Sequence, residues 1–375
     1  MSAIKICKGC LNPSTRPNVF FDEDGLCGVC KLHNDDSEGS IDWIKRKAEI
    51  DEISRWGKAN SRSTYDCIVT VSGGKDSTRQ AFFARDELGL NPLLVSAVYP
   101  PEELHERGPE NLANLISHGF DCISVGLNPI IFKSLMKTCF HRYSNIFNAS
   151  EMALYSIPIH AAIAHHIPLI FLGENPAHTI GEKHGKLDGD ASQMRNSNTL
   201  LGGDANIFLD ENVELKDLHF YNYPKEDDIT AAKLRIVYLG YYIEDWSGWN
   251  NGEFSKARGL KLRTDSPENT GDLWGISALD EEFRLVNQQI KFAKYGFGHV
   301  TDQVMERIHA GMMTREEGVE LVKSYDGKCH IKYVQKLCSY LGISKEDFFK
   351  VVEEARNRDI WVKDENDKWV LDVHY

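Results

Sequence analysis

A β-branched run, Ile68-Val69-Thr70-Val71, breaks abruptly at Ser72-Gly73-Gly74 and is followed by Lys75 and the helix-forming stretch Asp76 to Ala84. The run reads as a buried strand and the second stretch as the opening of a helix, so this part of the chain is a strand–turn–helix unit. Two glycines at such a turn let the backbone approach a ligand, because no Cβ stands in the way. The first helical N–H groups then face that ligand, and the helix dipole favours an anion there. With hydroxyls at Ser72, Ser77 and Thr78 and the charge of Lys75, the turn suits a polyphosphate. An ordinary glycine-rich turn is the alternative reading.

The pattern is not GxxxxGK[ST], because the lysine follows the glycine pair at once. Ser72 to Ser77 instead resembles the SGGxDS pyrophosphate loop of the ATP pyrophosphatases, a group that includes tRNA thiolases and nitrogen-transferring synthetases. In that group the loop grips the leaving pyrophosphate while a substrate oxygen attacks the α-phosphorus of ATP. The resemblance assigns ATP binding to Ser72, Gly73, Gly74, Lys75, Asp76, Ser77 and Thr78. It gives Lys75 a catalytic role, and Asp76 another through placement of Mg²⁺.

At 375 residues the chain has room for about two to three domains. Its 42% hydrophobic content supports a sizeable core, and its net charge of −13 speaks against a broad nucleic-acid surface. No segment reaches the roughly 18 apolar residues of a membrane span. The opening Met-Ser-Ala-Ile-Lys-Ile-Cys-Lys lacks a signal-peptide core, and nine cysteines in this setting read as reduced, so a cytoplasmic location is expected.

Four of those cysteines form two CxxC knuckles, Cys7/Cys10 and Cys27/Cys30, with residues 11–26 between them. This is the spacing of a tetrahedral four-thiolate Zn²⁺ site. Its closed coordination shell makes the metal structural, and metal binding would supply the folding energy of so small a module. Disulfides or an iron–sulfur cluster are the alternatives for the same ligands. The segment Asn18 to Gly25 reads as a strand entering an acidic turn. A helix is expected from Ser40 to Asn60, with Ile41, Ile44, Ala48, Ile53 and Trp56 on its packing face.

The core then alternates strand and helix. Further strands are expected at Leu93–Val98, Cys122–Val125 and Pro168–Leu172, with an added one at Ile236–Leu239. This predicts an α/β fold with a doubly wound parallel sheet. In such sheets ligands bind beyond the carboxyl ends of the strands, where the loops starting at Ser72, Tyr99 and Gly173 should converge. Glu174 is therefore a candidate for the reaction centre, as a Mg²⁺ ligand or a partner for a substrate amide. A helix-capping role for the Glu174-Asn175 pair is the competing account. The long polar loop 178–190 reads as a lid or substrate segment, with His178, His184, Asp188 and Asp190 a weaker metal candidate.

Residues 200–275 are rich in aromatics, among them Tyr221, Tyr238, Tyr241, Tyr242, Trp246, Trp249 and Trp274, with Asn250 and Asn251 nearby. They could stack on a sugar or base, or simply pack an insert. From Leu279 the pattern is helical, with a glycine break at Gly296-Phe297-Gly298, a capping box at Thr314–Glu317 and a closing hairpin after Trp361. Lys291, Lys294, Arg307 and Arg315 are candidate phosphate contacts or solvated helix charges. The organisation expected is a zinc module over 1–39, a nucleotide-binding core over 40–200, an aromatic-rich substrate region over 201–278 and a helical region over 279–375.

The knuckles, Ser72 to Ser77, Gly173-Glu174-Asn175-Pro176, Tyr238 to Tyr242, Lys294 to Asp302 and Gly311 to Glu317 together resemble the N-acetyl sugar amidotransferases of surface-polysaccharide and nonulosonic acid biosynthesis. The resemblance covers nearly the whole chain and implies a sheet of the adenine-nucleotide α-hydrolase (PP-loop) type. It implies ATP-dependent conversion of a sugar acetamido group to an acetamidino group, with AMP and pyrophosphate released. The implied partners are a nucleotide-linked N-acetyl sugar and glutaminase and cyclase-like subunits that supply ammonia; no nucleic acid is expected, and the oligomeric state stays open. A tRNA thiolase and a non-catalytic nucleotide-binding zinc scaffold are the rival readings.

Overall fold

The computed structural model describes residues 4–35, 41–181, 186–197, 200 and 202–375. Five parallel strands form the central sheet: β1 (Cys67–Thr70), β2 (Pro92–Val98), β3 (Asp121–Gly126), β4 (Leu169–Leu172) and β5 (Arg235–Tyr238), in the order β3-β2-β1-β4-β5. Val69 pairs with Leu94 on one side and Phe171 on the other, so β1 lies at the centre of the sheet. The predicted α/β class with a doubly wound parallel sheet, a cysteine cluster at the N-terminus and a helical C-terminal region is what the structure shows. The fifth strand, expected as an addition at Ile236–Leu239, forms the far edge.

Strand period explains why these runs are apolar throughout. Cys67, Val69 and Val71 point to one face with Leu94, Leu169, Phe171 and Val237, where helices Trp43–Asn60 and Lys75–Phe82 cover them. Ile68 points to the other with Leu93, Val95, Ile170 and Ile236, beneath helices Pro129–Tyr143 and Asn148–His165. A sheet covered on both faces has no side for polar residues, which is why its central strands read as uninterrupted hydrophobic runs.

Two local expectations are corrected. Asn18 to Gly25 forms no strand; Phe21 makes one bridge to Cys27, and Asn18 sits at φ +60°, outside the extended region. The helix expected from Ser40 begins at Trp43, capped by Asp42, and Ser40 itself lies outside the described residues. It buries Ile50, Ile53, Ser54 and Gly57, whereas Ile44 is 86% exposed, so its contact face lies toward its C-terminal half.

The C-terminal region comprises helices Phe283–Tyr295, His299–His309, Arg315–Tyr325, Ile331–Leu341 and Lys345–Ala355, then the antiparallel pair Trp361–Lys363 and Trp369–Leu371. Gly296, at φ +73°, ends the first of these, and the Thr314–Glu317 capping box starts the third. Helix His299–His309 is gripped on one flank by the N-terminal module. Met305 and Ile308 pack among the four cysteines, and Leu11 packs with Val300, Val304 and Val319.

The strand–turn–helix unit at Ser72 is built as the sequence suggests, but its two glycines do different things. Gly73 has φ +80°, and a Cβ there would lie 2.6 Å from the Leu112 backbone nitrogen. Gly74 caps helix Lys75–Phe82 with an ordinary φ of −78°, and a Cβ there would meet only Ser72 Oγ at 3.3 Å. Gly73 is thus demanded by the fold, whereas Gly74 leaves space open on the ligand side. Gly73→Ala should lower stability by about 1–3 kcal/mol in urea unfolding. Gly74→Ala should cost less than half of that; equal losses would contradict the assignment.

Candidate functional site

The strand order changes direction between β1 and β4, since β1 continues toward β2 and β3 while β4 lies on its other side. Crevices in open parallel sheets form at this point, outside the carboxyl ends of the two strands. The turn after β1 is Ser72–Gly74, and the turn after β4 is Gly173-Glu174. Within the first, Ser77 Oγ donates to the Gly74 carbonyl at 3.1 Å, and Ser72 Oγ lies 3.4 Å from the Gly74 amide. These contacts hold the turn in shape.

Lys75 is the first residue of the helix, and its ammonium forms an ion pair with Asp76. Burial works against its charge, but Asp76, Glu174 and Glu306 outweigh burial and hold its pKa above the ordinary lysine value. Glu174 and Glu306 are also held above their ordinary values, but there burial prevails. Burial pushes Glu174 up, with the charge of Asp76 adding and that of Lys75 opposing. Burial likewise raises Glu306, again with Lys75 opposing. Glu174 is exposed to solvent and does not belong to the core.

The Glu174-Asn175 pair divides between its two readings. Asn175 is the cap: its Oδ1 accepts from the Ala177 amide at 2.9 Å, and its Nδ2 donates to the carbonyls of Lys186 and Asp188 at 2.7 and 2.9 Å. Glu174 makes no such cap and interacts electrostatically with Asp76 and Lys75. Asn251, singled out from sequence beside the aromatics, is 1% exposed and donates from Nδ2 to Asp76 at 2.8 Å. Ser255 Oγ donates to the Lys75 carbonyl at 2.8 Å. Helix Gly248–Lys256 therefore locks helix Lys75–Phe82 in place.

Glu306 is a site residue that sequence reasoning missed. Its Oε1 accepts from the backbone amides of Gly248 and Trp249, neutralising a helix N-terminus that ends against Lys75. Seven residues separate it from His299, about 10 Å along one helix face. The glycine-histidine motif at Gly298-His299 was the available signal, and helical spacing from it points to Glu306.

Arg284 extends the polar surface away from the loop. Burial opposes its charge, while Glu151, Glu281, Tyr99 and Asp280 together outweigh burial and raise its pKa. The charge of Arg284 also acts on Glu174, opposing its upward shift. The four cations proposed as phosphate contacts are mostly engaged elsewhere. Lys291 pairs with Asp302 at 2.9 Å, Lys294 donates to the Tyr143 carbonyl at 2.7 Å, and Arg315 reaches the Cys7 carbonyl at 3.4 Å. Arg307 lies over Trp249, whose ring meets Trp274 edge-on at 5.8 Å. Most other aromatics of this region pack internally: Tyr221 and Tyr238 are core residues, and Trp246 fills the space beside Gly240.

The four cysteines form a second centre. Cys7 and Cys30 sulfurs are 3.6 Å apart, as are those of Cys10 and Cys27, and all four lie within 4.8 Å of one another. A tetrahedral zinc with bonds of about 2.3 Å would separate its sulfurs by about 3.8 Å, so the set fits zinc. A disulfide needs sulfurs about 2 Å apart. Amides of Gly9 and Cys27 point at Cys7 Sγ, at 3.4 and 3.2 Å, as expected for a thiolate acceptor. Among the described residues no other set of three or more metal-ligating side chains converges this way. His178, Asp188 and Asp190 do not converge on one point, and His184, the fourth member of that candidate set, lies outside the described residues. Asp76, Glu174 and Glu306 surround Lys75 without closing on one point.

Residues 278–373 match the family described as LPS biosynthesis protein WbpG-like, C-terminal domain. The matched segment carries Arg284, Lys291, His299, Asp302 and Glu306, and the likeness supports a role in lipopolysaccharide biosynthesis. No curated protein matches this chain.

A pH dependence follows from the carboxyls around Arg284. Glu281 is 2% exposed, and burial, with Asp280 adding, pushes its carboxyl up to about 8. A folded pKa above the unfolded value means stability that is complete below about pH 4.5 and lost as pH rises through 8. Unfolding free energy should thus fall by up to about 3 kcal/mol between pH 5 and pH 7.5. Glu281→Gln should flatten this slope, and an unchanged slope in that variant would contradict it.

Proposed function

We propose that the chain is an ATP-dependent amidotransferase of PP-loop type that turns the acetamido group of a nucleotide-linked sugar into an acetamidino group, in lipopolysaccharide or nonulosonic acid biosynthesis. The observation that carries this reading is the Ser72–Asp76 turn at the β1/β4 crevice, with Lys75 ringed by Asp76, Glu174 and Glu306. The likeness of residues 278–373 to a lipopolysaccharide-biosynthesis family supports the choice of a sugar over an RNA.

The chemistry sets the requirement. An amide carbon is a poor electrophile, and its oxygen is a poor leaving group. Attack of that oxygen on the α-phosphorus of ATP forms the new oxygen–phosphorus bond and breaks the bond to pyrophosphate. Ammonia then adds to the resulting imidate carbon, a proton is lost, and AMP departs carrying the original amide oxygen. The protein must hold the pyrophosphate in line and keep water from the adenylate.

The open space beside Gly74, the amides that begin helix Lys75–Phe82 and the hydroxyls of Ser72, Ser77 and Thr78 serve the first need. Lys75 would hold a phosphate oxygen in place of Asp76, and Asp76 would be the residue to hold the Mg²⁺ that accompanies ATP. Glu174, on the neighbouring turn, orients the acetamido group or binds the same ion. Zinc at the cysteines has a closed shell and supports structure only. Ammonia comes from a glutaminase with a cyclase-like partner. A thiolase would need a reactive cysteine near the turn; Cys67 and Cys139 are buried instead, and burial raises both thiols.

The test is product analysis with purified protein, ATP, magnesium, ammonium and a nucleotide-linked N-acetyl sugar. AMP and pyrophosphate should form only when both sugar and ammonium are present, and ADP as product would contradict the scheme. Lys75→Met should lower kcat about 10²–10³-fold with the fold retained.

A further inference from the structure

The helix His299–His309 is shared by two centres. Its His299, Gln303 and Glu306 face the core, where Gln303 binds Asp272 at 2.7 Å and Glu306 caps helix Gly248–Lys256 beside Lys75. Met305, Ile308 and His309 face the cysteines, and His309 Nε2 lies 3.3 Å from Cys30 Sγ. Asp302 sits at the border of the two faces. Its carboxylate takes the Arg16 guanidinium on one oxygen and Lys291, at 2.9 Å, on the other.

Arg16 belongs to the cysteine module and is only 7% exposed. Its Nε donates at 2.7 Å to Asn12, a fully buried residue whose carbonyl accepts the Cys7 amide at 2.9 Å. Its guanidinium lies 4.3 Å over the Phe297 ring, at the break that precedes the helix. One continuous chain of contacts thus runs from the first knuckle through Asn12 and Arg16 to Asp302. A buried arginine pinned at Nε by one element and at its terminal nitrogen by another fixes their relative placement, because the planar fork has no freedom to follow only one of them.

We propose that Arg16 is a positioning residue. By tying Asp302 to the metal-binding knuckle, it fixes the helix that holds Glu306 against the Gly248 amide, and so sets the environment of Lys75. The cysteine module then acts as a clamp on the phosphate-loop site and not only as a folding aid. The kinetic consequence rests on the amidotransferase reading, whereas the structural coupling does not.

The test uses the full metal-loaded chain and the variant Arg16→Gln. Zinc content should be unchanged. Amide exchange at Gly248 and Trp249 should accelerate at least about tenfold, with exchange in β1 and β4 unmoved. kcat for AMP formation should fall about tenfold, with KM for ATP within about twofold. If Arg16→Gln fails to retain zinc, Asp302→Asn cuts the same link from the helix, away from the cysteines, and the same outcomes are read. Unchanged exchange at Gly248 and Trp249, acceleration equal to that of the sheet, or an unchanged kcat would each overturn the proposal. If the wild-type chain forms no AMP, the amidotransferase reading fails, and the exchange comparison alone decides the clamp.

Discussion

Lys75 carries one positive charge in the company of three carboxylates, from its own helix (Asp76), from the turn after β4 (Glu174) and from the C-terminal helical region (Glu306). Burying a lone ammonium is costly, and so is gathering three carboxylates with no cation near. Each side makes the other tolerable, but the sum is one cation against three anions. On the reading proposed above, a polyphosphate arriving with magnesium would restore the balance at this site as the lysine turns to phosphate. The architecture around it can be understood as what is needed to bring these three elements together.

The sheet supplies two of them without further device, since β1 and β4 are neighbours and both turns leave from the same edge. The third is distant in sequence and has to be imported. Helix His299–His309 does this through the Glu306 contact to Gly248, while helix Gly248–Lys256 meets the loop helix through Asn251 and Ser255. The N-terminal knuckles close around the outer side of the imported helix. Parts of the chain that read as separate units in sequence therefore share one centre.

The legibility of the sequence follows the range of the forces involved. Strands β1, β2 and β4 were readable because burial on both faces leaves continuous apolar runs, and Thr314 because its capping partner lies three residues away. The cysteine set was readable because two knuckles must each bend around one metal. Ile44 misled because helical periodicity shows which residues could share a face, not how much of that face a neighbour covers. Asn175 and Glu174 were adjacent and indistinguishable until the loop at Lys186 and Asp188 claimed the amide. Glu306 and Asn251 lie near segments that stood out, the Gly298-His299 break and the aromatics, but nothing local gave either its partner, and Arg284 had no local signal. Each acts on a partner in a remote segment, and only the fold reveals the pairing.

The central claim is that the amide oxygen becomes a leaving group by taking the adenylyl moiety of ATP. The most direct measurement is oxygen tracing: the nucleotide sugar carries ¹⁸O in its acetamido carbonyl, and the nucleotide product is analysed by mass spectrometry after turnover with ammonium. The label should appear in the phosphate of AMP, one oxygen per acetamidino group formed. Recovery of the label in inorganic phosphate or water, with unlabelled AMP, would contradict the account.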